Sequence, residues 1–101
     1  MTHRANMTPE VARGFRHFTC MLTIRAFEEA VVAARLDGRI RGSVHPYIGE
    51  EAIAAGVCAN LADQDSVASY HRGHGHTIAR GADPTRMMLE LFGRRGGTCG
   101  G

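Results

Sequence analysis

Between Thr8 and Gly38 the chain carries a helix signal that is long for a polypeptide of 101 residues. Thr8 can cap the first turn with its hydroxyl, Pro9 suits the first helical position, and Glu10 places negative charge at the positive end of the helix. Val11, Phe15, Phe18 and Leu22, then Ile24, Phe27 and Val31, recur at three- and four-residue steps, the period of one helical face. Leu36-Asp37-Gly38 supplies the stop, because glycine takes the left-handed conformation that closes many helices. A helix over residues 9–37 is expected, about 40 Å long at ~1.5 Å per residue. Its apolar stripe exceeds what the rest of so short a chain can cover. The helix is therefore expected to pack on something further, and the chain to be a piece of a larger domain.

The remaining elements point the same way. Arg39 to Ile48 lacks periodicity, contains Gly42 and Pro46, and reads as a loop. A second helix is expected from about Gly49, with Glu50 and Glu51 near its N-terminus and Ile53, Val57 and Leu61 as its buried face. Small residues at Ala52, Ala54, Ala55, Gly56 and Ala59 would let another element come close. Ser66-Val67-Ala68-Ser69-Tyr70 is the one strand candidate, leading into the loop His71-Arg72-Gly73-His74-Gly75-His76 and then a short helical turn to about Gly81. Asp83-Pro84 opens a last helix through Met87, Met88, Leu91 and Phe92, residues expected in a core or interface, and Gly93 closes it. The expected class is α/β, mostly helical. A lone strand cannot make a sheet, which again implies a fragment.

Composition excludes more than it identifies. A net charge of +2 gives no electrostatic footprint for nucleic acid. Cys20, Cys58 and Cys99 are odd in number and widely spaced, which speaks against a disulfide framework and for a reducing compartment. Met1 to Met7 is polar and runs into no apolar core, and the most apolar stretch, Ala52 to Ala59, is too short to span a bilayer. No leader and no membrane span are expected, and a cytoplasmic location is the default.

Chemistry concentrates in the Gly/His loop. Gly73 and Gly75 permit close backbone approach, Arg72 offers a charged fork suited to phosphate oxygens, and His71, His74 and His76 can donate hydrogen bonds. The residues describe an oxyanion cradle, or equally a surface turn with glycines present for geometry alone. A zinc site is the rival use of the three histidines, but Arg72 inside the triplet would oppose a cation, and no metal ligand is assigned. His45, between Val44 and Pro46-Tyr47, is either an exposed loop histidine or a substrate-facing imidazole able to donate to a carboxylate or alkoxide. Arg16, Arg25 and Arg35 read as solvated or ion-paired, with Glu28 and Glu29 as partners along the helix.

Four collinear segments carry a resemblance. Met21-Leu22-Thr23-Ile24-Arg25-Ala26-Phe27-Glu28-Glu29 resembles the long N-terminal helix of alpha subunits of thiamine diphosphate-dependent 2-oxo acid and acetoin dehydrogenases. Arg41 to Ala52 is similar to that family's Gly-x-x-His-x-x-x-Gly-Gln-Glu-Ala segment. Tyr70 to His76 looks like its cofactor-diphosphate loop, and Gly81 to Arg94 like the helix that follows. The resemblance implies an N-terminal piece of a thiamine diphosphate-binding fold spanning residues 1–101, with the long helix at 9–37 and the diphosphate-site portion at 41–97. It also implies cleavage of acetoin or a pyruvate-like 2-oxo acid, with the acyl unit passed to a lipoyl acyltransferase partner. The cofactor would lie between alpha and beta subunits of an α2β2 assembly. On this mapping His45 faces the substrate, Arg72 contacts the diphosphate, His71 occupies the neighbouring diphosphate position, and His74 supports or organises the loop.

Three departures bear on the substrate. His71 stands where pyruvate-type members carry Tyr, Ser43 replaces an aromatic residue, and Glu50 stands where Gln is usual, which leans the expectation toward acetoin. The family's Gly-Asp-Gly with a following Asn is absent from these residues, so the Mg²⁺ ligands are expected outside them. A non-enzymatic helical interaction module and a small His-rich metal-binding domain are the alternatives.

Overall fold

A computed structural model describes residues 6–101; the polar stretch read as lacking a leader therefore lies, for residues 1–5, outside the described part. Four helices follow one another: α1 (Pro9–Leu36), α2 (Glu51–Cys58), α3 (His74–Ala79) and α4 (Pro84–Leu91). The start of α1 follows from its first residues. Thr8 is extended and its hydroxyl accepts from the Val11 amide at 3.2 Å, satisfying one of the amides that have no partner within the helix. At the other end Gly38 adopts φ 78°, and the Arg39 and Ile40 amides turn back onto the Ala34 carbonyl.

The stripe along α1 divides in two. Ile24, Phe27, Val31 and Ala34 enter a core shared with Ile40, Tyr47, Ala54, Ile78 and Met87. Val11, Phe15, Phe18 and Leu22 remain about half exposed. Both α2 and α3 pack on α1, and nothing among the described residues covers the N-terminal part of that stripe. No described helix is long and apolar enough to cross a membrane.

Two expectations fail here. The strand over Ser66–Tyr70 is not formed, and no strand occurs among the described residues. The segment is an exposed coil, because a strand exists only through ladder hydrogen bonds to a neighbour and none is present. The described residues are thus mostly helical, as expected, but lack the strand that the α/β class requires. The buried face of α2 also differs from the expectation: Ile53 and Val57 are exposed at 58% and 57%, whereas Glu51, Ala54 and Ala55 are buried. The alanines permit close packing, but Gly56 is not needed for it, since a side chain there would meet open space. The last helix matches its reading. Asp83 caps it through the Thr85 amide, Met87 is buried, Met88, Leu91 and Phe92 pack against the core, and Gly93 turns the chain at φ 69°.

Candidate functional site

The loop before α2 and the segment before α3 meet edge to edge. The His45 and His71 rings lie 4.6 Å apart in a T-shaped contact, and Tyr70 sets its ring against His71 at 5.1 Å. Arg72 reaches across the same junction, where its Nη1 donates to the Pro46 carbonyl at 2.5 Å. Its Nε lies 3.9 Å from Glu50 Oε2, and the Tyr70 hydroxyl donates to Glu50 Oε1 at 3.4 Å. The geometry thus gathers His45, His71 and Arg72 from two segments far apart in the sequence. Both histidines are exposed, and Arg72 keeps 34% of its side-chain surface open, with donors beyond the one given to Pro46.

His74 belongs to a different layer. It is the first residue of α3 rather than part of a loop, and it turns inward. Its Nδ1 lies 2.8 Å from Oε1 of Glu28, and its ring meets Phe27 edge-on at 5.4 Å. The glycines also act differently from the reading of a ligand-hugging loop. Neither Gly73 nor Gly75 has positive φ. A side chain at Gly73 would strike Ser69 and the Tyr70 carbonyl, and one at Gly75 would overlap the Tyr47 ring. The smallness of Gly75 serves packing of the two segments on each other, and that of Gly73 a tight turn within its own segment.

Beneath the junction lies a polar layer that sequence reasoning missed. Tyr47 is 1% exposed, and its hydroxyl pairs with His76 Nε2 at 3.1 Å, while His76 Nδ1 pairs with Ser69 Oγ at 2.6 Å. Burial, and then the nearby Glu50 carboxylate, push the Tyr47 phenol up, so it remains a protonated hydroxyl near neutral pH. The Tyr47 amide donates to Glu28 Oε2 at 2.6 Å. Arg25 pairs not with Glu28 or Glu29 but with Glu51, Nε to Oε2 at 2.5 Å, and Glu51 Oε1 accepts from the Gly49 amide at 3.0 Å. The hydrogen bond from Arg25 holds the Glu51 carboxyl below its ordinary range despite burial. Tyr47 and His74 lie 19 and 46 residues from Glu28, and Glu51 lies 26 from Arg25, beyond the reach of any local pattern.

Chemically the junction offers a partly open guanidinium and two exposed imidazoles, a set able to hold an oxyanion and to donate to a carboxylate or alkoxide. Among the described residues no cluster of three His, Cys, Asp or Glu side chains is placed to hold a metal ion. A cavity of about 940 Å³ lies elsewhere, between the N-terminal half of α1 and the α3–α4 connection, lined by Phe15, Cys20, Ile78, Ala82 and Pro84 among others. It marks the uncovered part of α1 rather than the chemistry.

Comparison with known proteins decides the family: the Dehydrogenase E1 component family matches residues 19–101. The chain belongs to that family. It is 54% identical over 81 residues to the alpha subunit of the acetoin:2,6-dichlorophenolindophenol oxidoreductase of Bacillus subtilis, an alignment covering 80% of this chain and 24% of that subunit. The corresponding subunit of Cupriavidus necator is 52% identical over the same share of each chain. The pyruvate dehydrogenase E1 component subunit alpha of Zymomonas mobilis is 47% identical over 78 residues, 76% of this chain and 22% of that one. The chain therefore spans about a quarter of the length of the curated relatives it matches. No solved structure matches it.

Proposed function

We propose that the chain forms part of the alpha subunit of a thiamine diphosphate-dependent dehydrogenase that cleaves acetoin, or a pyruvate-like 2-oxo acid, and hands the product to a lipoyl acyltransferase. The observation that carries the proposal is the convergence of His45, His71 and Arg72 at one junction, in a chain of the E1 component family. Acetoin is favoured over pyruvate by the identities of 54% and 52% to the acetoin subunits, against 47% to the pyruvate one.

The residues present fit a diphosphate. Arg72 keeps free donors and partial exposure, its carbonyl contact fixes the direction of the guanidinium, and His71 lies beside it. Arg72 would bind the diphosphate and His71 would take the neighbouring contact. His45 would face the substrate and donate to its carbonyl oxygen or hydroxyl. His74 would organise the segment from below. When bound, the cofactor supplies a thiazolium that accepts the electron pair left by bond cleavage next to a carbonyl. The protein's part is to bind, orient and donate protons. Magnesium ligands would come from other parts of the alpha subunit, and a glutamate that activates the cofactor's aminopyrimidine from the beta subunit of an α2β2 assembly, working in the cytoplasm.

The test is made on the assembled alpha–beta enzyme. Arg72→Ala is expected to weaken thiamine diphosphate binding, measured by calorimetry with Mg²⁺, by at least about tenfold, since a charge-assisted contact contributes about 1.5–3 kcal/mol. His45→Ala is expected to lower kcat by about 10²-fold or more while leaving cofactor affinity near wild type. Undiminished cofactor affinity in Arg72→Ala would remove the diphosphate assignment. Unchanged turnover in His45→Ala would make that residue a structural loop histidine.

A further inference from the structure

One buried ionisable group stands outside the roles given so far. Glu28 is 0% exposed, in the middle of α1 among Ile24, Phe27 and Val31. A carboxylate in that position is costly unless both oxygens are paired, and both are. Oε2 accepts from the Tyr47 amide at 2.6 Å, and Oε1 meets His74 Nδ1 at 2.8 Å. Each partner belongs to one of the two segments that form the junction. Tyr47 follows His45 by two residues and Pro46, the acceptor for Arg72, by one; His74 follows Arg72 by two. Neither segment is held by a strand ladder among the described residues, so a single carboxylate on a rigid helix links both to a common reference.

The chemistry of the second contact goes further. A carboxylate only accepts, so His74 must present a hydrogen on Nδ1. A half-turn of the ring would put Cδ2, which has no polar hydrogen, in place of Nδ1, so the contact fixes the face of the imidazole as well. Glu28 thus fixes both the place and the tautomer of His74. An amide of the same size cannot do this at both oxygens, because one of its two heads is a donor.

We infer that Glu28 is a positioning residue, a carboxylate that holds the His45 loop and the Arg72 segment in register and sets the His74 tautomer. The inference rests on the reading of His45 and Arg72 as substrate and diphosphate residues. Its test uses the assembled enzyme with Glu28→Gln and Glu28→Asp, and with His45→Ala and Arg72→Ala prepared alongside. Active sites are counted by cofactor titration, so that loss of folded protein is separated from loss of function per site. Glu28→Gln is expected to lower kcat per site by about 10–100-fold, the scale of a sub-ångström to 1 Å misplacement of catalytic groups. The affinity for thiamine diphosphate should fall several-fold with it. Glu28→Asp keeps both acceptors on an arm too short to reach both partners at once, so an intermediate loss of kcat per site is expected, and it carries the test if the Gln variant does not fold. A purely structural glutamate would lower the thermal midpoint while kcat per site and cofactor affinity stayed at wild-type values, and that result overturns the inference. If His45→Ala and Arg72→Ala are themselves silent, the site reading fails first. If they are damaging while both Glu28 variants match wild type per site, only the positioning role fails.

Discussion

Gly75 tests whether the two site segments are locked by packing. It lies in α3 with the Tyr47 ring directly over it, so that an added Cβ would stand 2.6 Å from Tyr47 Cε2 and 2.7 Å from Cγ, with Cδ2 nearer still. The ring cannot easily give way. It is 1% exposed, its hydroxyl holds His76, and its backbone amide holds Glu28. Relieving the overlap costs about 1–3 kcal/mol, as for other overpacked sites. Displacing Tyr47 weakens contacts to a buried carboxylate, adding about 1–3 kcal/mol. Against this, alanine in a helix is favoured over glycine by ~0.5–1 kcal/mol. The packing term wins, and Gly75→Ala is expected to destabilise by roughly 1–5 kcal/mol. The assay is denaturant unfolding of the assembled enzyme followed by circular dichroism, run as a double-mutant cycle with Tyr47→Leu. If the ring is the cause, Gly75→Ala costs much less once Tyr47→Leu has removed it, a non-additivity expected of residues in contact. Equal cost with and without the tyrosine would refute the reasoning, as would a Gly75→Ala enzyme with wild-type stability.

Three further outcomes are expected. Because the Glu51 carboxyl is held below its ordinary range by Arg25, its contribution to stability is present above about pH 4.3, the unfolded value, and is lost as pH falls through the lower folded value. Unfolding midpoints measured from about pH 7 down to about pH 3 should therefore fall more steeply for wild type than for Glu51→Gln, and parallel profiles would contradict this. Glu50 places a carboxylate 3.9 Å from Arg72 Nε, a partly exposed pair on the scale of ~0–1 kcal/mol, so Glu50→Gln should tighten thiamine diphosphate binding by about two- to fivefold in titration calorimetry; unchanged or weaker binding would count against that competition. Phe15 and Phe18, exposed at 58% and 55%, form an apolar patch with Val11 and Leu22; the chain carrying Phe15→Ser and Phe18→Ser should remain monodisperse in light scattering at concentrations where wild type associates, and equal association would acquit the patch.

How far the sequence could be read follows from the range of each interaction. Thr8, Pro9, Gly38, Asp83 and Gly93 act on backbone within a few residues, so the bounds of α1 and α4 were legible from local chemistry. The face of α2 was not. Ile53 and Val57 have the right period for burial, but the described neighbours meet the helix on its alanine side. Periodicity finds an apolar face without finding what lies opposite. Val11, Phe15, Phe18 and Leu22 show the same limit: the pattern implied a partner for α1, and half of the stripe is still open.

The site divides along the same line. His45, His71 and Arg72 stand out by residue type, although the same residues read equally well as a surface turn and a loop histidine. The groups that aim them do not. Glu28 looks like one of two adjacent acids on a helix surface, and Glu29 beside it is exposed, yet Glu28 is fully buried. Tyr47 looks like an ordinary loop aromatic, yet it joins Glu28, His76 and Gly75 in one packed layer. Even the glycines are right in identity and wrong in reason, since Tyr47, and not a ligand, occupies the space above Gly75. Groups that touch a ligand are chosen for their own chemistry and can be read one at a time. Groups that position them are chosen for complementarity to residues far along the chain. A carboxylate such as Glu28 is intelligible only after the fold has brought Tyr47 and His74 to its two oxygens, and its value to the site lies in having both.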